Sequence, residues 1–419
     1  GGLKLKEERM MILTMLEDGK ISSEEASKLL EALEESEEIC SENETNFTED
    51  EKAAKMDKSI EKTKEKVENI IKEQSKKVKN IGNAIGNKIS GVFSSNFDKS
   101  SSKNFFGIYE IVNTTLEKDI SHIEEPIIDL KSVNGNIFLN PWDKDSILIN
   151  VSCQFKKGTM NENDTYYDFV EEGNKILFSP IYTSNIGMKL DVYVPNKKYK
   201  EIILNTSNGK INAEGLNLDK IVCDTTNASI SIKDINAPEA KLVTKNGKIN
   251  MESINSNSIE ANSTNSNIML RKVNSSKISV STKNGKILID EVSSDAIEGI
   301  TSNSNIDIVN STGKLIKLST SNSKIICQDV YSSQSEKIEL ETSNASIEIK
   351  LSDLNKPICF DLETSLGNID LQIPDLVYRV NKQNKLGTRR IIAHSIEFNE
   401  ELKHIQVIAS TSNGSIRIN

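Results

Sequence analysis

The sequence predicts a mainly β fold: a parallel β-solenoid of 19-residue coils preceded by an α-helical hairpin and an amphipathic helix. Three observations carry this. The motif Thr/Ser-x-Asn-small-x-Ile recurs on Asn208, Asn227, Asn246, Asn265, Asn284, Asn303 and Asn322, at a constant spacing of 19 residues. A fixed period of this length marks a repeat architecture. Within each repeat, apolar and polar residues alternate with a period of two, which is strand patterning. Aromatic residues make up only 5% of the chain, so a row of isoleucines takes the place of a compact aromatic core.

With each motif Asn as position zero, the register can be counted. Further coils sit on Asn134, Asn344, Leu366 and Asn413. Plus three is isoleucine in all eleven coils, from Ile137 and Ile211 to Ile369 and Ile416. Burying each contributes on the order of 1.5–3 kcal/mol. Minus six, minus four, plus five and plus eight are also inward, and Cys223 and Cys327 on such positions read as small buried hydrophobes. Minus two is always Thr or Ser, and plus one is always small, as a crowded corner requires. The Asn is expected to take the left-handed backbone conformation at the bend, and its amide to bond to the next coil. Asn208, Asn227, Asn246, Asn265, Asn284, Asn303, Asn322 and Asn344 would then form a structural ladder, with the neighbouring Thr hydroxyls pairing in the same manner. At about 4.8 Å per coil, seven regular coils extend roughly 35 Å.

Three domains follow. Residues 1–36 read as a helical hairpin: Met10, Leu13 and Leu16 lie at helical spacing up to Gly19, then Ser22 and Glu25 make a capping box before Ala26, Leu29, Leu30 and Leu33. Residues 37–104 hold an acidic linker and a long amphipathic helix, with Ile60, Val67, Ile70, Ile71, Val78, Ile81, Ile85 and Ile89 on its stripe. It is expected to be a solvated amphipathic helix or weak coiled coil, or, at its end from Ile81 through Phe93 and Phe97, to lie in a lipid headgroup layer. Residues 105–419 are the solenoid with capping segments, those at 143–200 expected to be strands and a short helix, and those at 372–406 to cap the far end before 411–416 adds a last strand pair. Open solenoid ends need such caps.

The net charge of −10 argues against a phosphate-neutralising nucleic-acid binder. No apolar run reaches membrane-spanning length and no secretory signal opens the chain, which places it in the cytoplasm or peripheral to the membrane, with surface exposure left open. Five cysteines without CxxC spacing and three histidines without a catalytic motif predict no metal or other cofactor. Some parallel β-helices cleave acidic polysaccharides, but no carboxylate pair recurs outward on adjacent coils, so no catalytic residue is assigned and an enzyme is not expected. What recurs outward is lysine at plus two in alternate coils, Lys210, Lys248, Lys286 and Lys324, a candidate interaction face.

The stretch Glu7 to Ala26, through Met10-Met11-Ile12-Leu13 and Asp18-Gly19-Lys20-Ile21-Ser22, resembles the SHOCT-like N-terminal domain of bacterial YvlB/LiaX-type proteins. The segment from Val194-Pro195 through Thr206-Ser207-Asn208-Gly209-Lys210-Ile211 and its repeats looks like the adhesin-type β-helix domain of the same family. The resemblance implies a non-enzymatic protein tied to cell-envelope stress. Its helical N-terminus would mediate self-association, peripheral membrane contact or binding of envelope-active peptides, and its solenoid would be a protein-binding scaffold. A polysaccharide-binding or polysaccharide-cleaving β-helix is the alternative.

Overall fold

The structure, a computed structural model, describes residues 109–159, 165–331, 334–352, 354–384 and 387–419. The predicted helical hairpin and amphipathic helix lie outside the described residues. Within them every regular element is a strand apart from one helical residue at 334, and the strands form a mainly β, parallel solenoid.

The regular part comprises β8 (Lys198–Thr206), β9 (Ile211–Thr225), β10 (Ile230–Asn236), β11 (Glu239–Thr244), β12 (Ile249–Asn262), β13 (Ile268–Ser281), β14 (Ile287–Ile300), β15 (Ile306–Val309), β16 (Thr312–Thr320), β17 (Ile325–Tyr331), β18 (Lys337–Thr342) and β19 (Ile347–Ser352). All pairings within this run are parallel and, apart from a one-residue shift after Cys327 between β17 and β19, put equivalent positions in register, so Ile249 lies beside Ile230 on one side and Ile268 on the other. The plus-three column is fully buried: Ile211, Ile230, Ile249, Ile268, Ile287, Ile306, Ile325 and Ile347 are each 0% exposed. Cys223 and Cys327 also lie in this core, and burial pushes both thiols well above their ordinary pKa. Isoleucine suits the column because its branched Cβ is stiff and packs against its copy in the next pleat.

One expectation is corrected. The left-handed residue of each regular coil is at plus seven, where Gly215, Asp234, Ser253, Lys272, Glu291, Asn310 and Asp329 have φ between 48° and 68°. Of the motif asparagines, only Asn134 has a positive φ. At the Asn corner the backbone N–H already reaches the previous coil, as from Asn246 to the carbonyl of Thr226 at 2.9 Å, so asparagine there answers to its side chain. The plus-seven bend drops one residue from the pairing: Lys233 is opposite Glu252 and Ile235 opposite Ile254. A lone left-handed residue costs roughly 1–2 kcal/mol when it is not glycine. Six of the seven coils accept that cost because the bend returns plus eight to the core.

The N-terminal end is built from β1 (Tyr109–Asp119), β2 (Ile127–Lys131), β3 (Ile137–Trp142), β4 (Ser146–Lys156), β5 (Tyr167–Glu172), β6 (Lys175–Pro180) and β7 (Ile186–Pro195). The Asn134 coil, β2 and β3, stacks on β8 and β9, and β6 and β7 form one more layer beyond it. Antiparallel β5 closes the β6 edge, and antiparallel β4 and then β1 close the β7 edge. No helix occurs at the described positions of 143–200, so the cap is a β-meander, which satisfies the last coil's backbone groups with further strand.

The C-terminal end departs from chain order. It holds β20 (Ile358–Thr364), β21 (Ile369–Leu371), β22 (Leu376–Gln383), β23 (Arg389–Ser395), β24 (Ile405–Thr411) and β25 (Ile416–Ile418). The final pair does not lie outermost: β24 sits between β18 and β20, and β25 between β19 and β21. The Leu366 coil is therefore the terminal layer, and the antiparallel hairpin β22–β23 covers it by pairing β23 with β20.

Candidate interaction face

The Asn corner is where every coil but that of Leu366 presents the same polar group. Each asparagine's Nδ2 donates to the Oδ1 of the asparagine in the preceding layer, from Asn208 onto Asn134 and then through Asn227, Asn246, Asn265, Asn284, Asn303, Asn322 and Asn344 to Asn413, at 2.5–2.8 Å. An amide has two N–H donors and two acceptor lone pairs. Each ladder amide thus spends half its capacity along the axis and keeps the other half facing outward.

Beneath this row is a buried one. The minus-two hydroxyls of Thr206, Thr225, Thr244, Ser263, Thr282, Thr301, Thr320, Thr342, Thr411 and Thr364 donate to the plus-one carbonyl of the neighbouring layer at 2.8–3.1 Å. The hydroxyls therefore pair with backbone and not with one another, contrary to the expectation. The same carbonyl explains the glycines among the plus-one residues: a Cβ on Gly247 would come within 1.6 Å of the Ala228 oxygen.

The candidate lysines fall beside the ladder but differ in company. Lys286 is ion-paired to Asp307, and Lys324 lies 3.5 Å from Glu348. Lys210 and Lys248 are exposed and have no carboxylate partner among the described residues. Two features at the same period escaped the sequence reading. Asn217, Asn236, Asn255 and Asn274, at plus nine, make a second, looser amide row at 3.1–3.5 Å. At plus six, Glu214, Lys233, Glu252, Arg271 and Asp290 alternate in sign along the axis, with Lys233–Glu214 at 3.4 Å and Arg271–Asp290 at 3.3 Å. Reading every column for identity or alternation, and not only the inward ones, finds both.

Among the described residues no three His, Cys, Asp or Glu side chains converge as metal ligands would, and no helix is long and apolar enough to cross a membrane. His122 bonds Glu171 at 2.8 Å, while His394 and His404 flank Phe398 in the C-terminal cap. Asp129 is buried and paired with Lys175 at 2.9 Å. All of these contacts lie in the two end caps and the coils next to them, and none includes a ladder asparagine.

The fold and this corner define a class: a capped parallel β-solenoid presenting a polar ladder. Residues 128–291 match the Toastrack DUF4097 family model, and residues 7–38 match the SHOCT-like domain model. The uncharacterized protein YvlB of Bacillus subtilis (strain 168) is 26% identical over 232 residues, 53% of this chain and 58% of that protein. The similarity thus spans little more than half of either. Two solved structures align over 74% of the chain. One is a proposed cell adhesion protein from Clostridium sporogenes ATCC 15579, covered to 99%, with 9% identity and a TM-score of 0.21. The other is a proposed adhesin from Bacteroides fragilis NCTC 9343, covered to 97%, with 12% identity and a TM-score of 0.27. At such scores the fold rests on this chain's own coils. The chain is thus similar to YvlB, with a segment similar to a SHOCT-like domain ahead of one similar to a Toastrack domain.

Proposed function

We propose that the chain is a non-enzymatic interaction protein of the cell-envelope stress type. In this reading the SHOCT-like segment supplies self-association or contact with a membrane or envelope peptide, and the solenoid is the scaffold that meets a protein partner. The observation that carries it is the order of parts: a short SHOCT-like segment at 7–38 joined to a long, capped stack of near-identical coils. A repeated surface suits recognition better than catalysis, which needs unlike groups brought to one point. The outward carboxylates support this, because many are held in coil-to-coil ion pairs, as Glu260 is to Lys241 at 3.1 Å and Glu239 to Lys220 at 3.0 Å.

The test removes residues 1–40 and compares the shortened protein with the full chain. Sedimentation, co-pelleting with anionic vesicles and pull-down from envelope extracts are expected to give assembly or binding by the full chain that the deletion loses, with the solenoid's circular dichroism unchanged. Identical behaviour of the two proteins in all three assays would sink the reading. Protease shaving of intact cells would then give the compartment in which the partner must be sought.

A further inference from the structure

The two free lysines at plus two belong to a larger arrangement. Lys245 and Lys283, at minus one, flank the same ladder from its other side, are exposed, and have no carboxylate partner among the described residues. None of the eleven coils carries Asp or Glu at any of the four corner positions from minus one to plus two, in a chain where Asp and Glu number 62 of 419. The nearest carboxylates are at minus three, Asp224, Glu341 and Glu363, and at plus four, where Asp307 and Glu348 pair with Lys286 and Lys324. An acidic protein thus keeps one edge free of acid and basic over the coils of Asn208, Asn246 and Asn284.

The spacing narrows the partner. Corner lysines occur on every second coil: Lys210, then Lys245 with Lys248, then Lys283 with Lys286; the coils between carry Ser or Asn at plus two. Two coils advance about 9.6 Å along the stack, close to the length of a disaccharide. Nucleic-acid phosphates are more closely spaced than that, and no aromatic residue stands at the corner for bases to stack on. A peptide cannot add as a strand along this edge, since the corner backbone is already bonded from coil to coil. Between the lysines run the outward halves of the ladder amides, a row of donors and acceptors suited to hydroxyl groups.

We infer that the Asn corner is a binding edge for a linear acidic glycan carrying one carboxylate per disaccharide, with Lys210, Lys245, Lys248 and Lys283 on the carboxylates and the asparagine amides on the hydroxyls. This rests on the scaffold reading only in taking the solenoid as a recognition surface. Its failure would leave the role of residues 1–40 untouched, because the two are tested on different parts of the chain.

The experiment titrates the full chain at low salt into fluorescently labelled hyaluronan oligosaccharide, a polymer of the required repeat, and reads anisotropy. Four exposed charge contacts are together worth about tenfold in affinity. The variant K210Q/K245Q/K248Q/K283Q should therefore bind roughly tenfold more weakly, while K314Q/K317Q/K337Q/K350Q, with the same charge change off the corner, should bind as the unaltered chain does. Unlabelled dextran should not compete. Absence of binding by the unaltered chain, equal weakening by both variants, or equal competition by poly-L-glutamate or single-stranded DNA would each overturn the inference. All eight positions are solvent-facing, and matching melting curves confirm that both variants are folded.

Discussion

The regular coils and the C-terminal end are made of the same motif but assembled by different rules. Between Asn208 and Asn322 each coil touches the coils before and after it in sequence, and Ile268 is clamped between Ile249 and Ile287. Beyond Asn322 the spacing lengthens to 22 residues, and the layer that follows Asn344 in space is Asn413, which is 69 residues away. The Leu366 coil is left with a partner on one side only along its β21 face. Constancy of period therefore guarantees that chain neighbours are spatial neighbours. When the period breaks, the motif still names the position within a layer but no longer the order of layers.

The comparison breaks most severely if the last strands are removed. A chain ending at residue 401 lacks β24 and β25, which are internal layers, so it loses both faces of Val407, Ile416 and Ile418 and unpairs β18 and β20. Stability should fall by on the order of 5 kcal/mol, read as a urea midpoint, with strand edges exposed to aggregation. A loss no larger than that of one outer layer would contradict the interleaving. Next in size is a paired truncation. Ile268→Ala should cost about 2–5 kcal/mol, and Ile369→Ala about half as much, because its column continues on one side only.

A smaller effect compares the two rows of the corner. Thr244→Val keeps shape but strips the hydroxyl from the Ala228 carbonyl at 3.1 Å and from the Gly247 N–H at 3.1 Å, which should cost about 1–3 kcal/mol. Asn265→Asp, on the exposed row, sets a carboxylate against the Asn246 oxygen that Nδ2 now reaches at 2.6 Å. The folded state then favours the protonated acid, so its pKa is raised above the unfolded value. The penalty, about 1 kcal/mol at neutral pH, should shrink as pH falls through that raised pKa toward about 4. Finally, with no change in stability, a maleimide probe should label Cys359, half-buried in the terminal layer, in the native protein. Cys223 and Cys327 should react only after unfolding.

The same contrast explains what could be read from the sequence. The plus-three column, the inward cysteines and the polar corner were legible because side-chain direction and a constant period fix them locally. The left-handed residue was not, since at plus seven it is Gly, Asp, Ser, Lys, Glu or Asn in turn, and backbone geometry recurs there without residue identity. The antiparallel cap was illegible for a further reason. The pairing of Leu148 with Tyr193 or of Leu362 with Ile391 joins strands that share no motif, and nothing periodic announces it. The corner lysines showed as a column, but the carboxylates that occupy Lys286 and Lys324 belong to the plus-four positions of other coils, so which lysines remain free depended on the packing of long side chains.

The interleaved C-terminus also has a consequence for synthesis. Residues 405–419 leave the ribosome after residues 358–371, yet they fill a gap inside the stack. A nascent chain can zip its coils in order from the Asn134 layer through Asn344, and then must hold the Leu366 layer and its hairpin in waiting until residues 405–419 arrive. Closure of this end of the stack is thus delayed until residue 419 has emerged, and a product terminated before residue 405 carries open strand edges by which a protease or chaperone can recognise it.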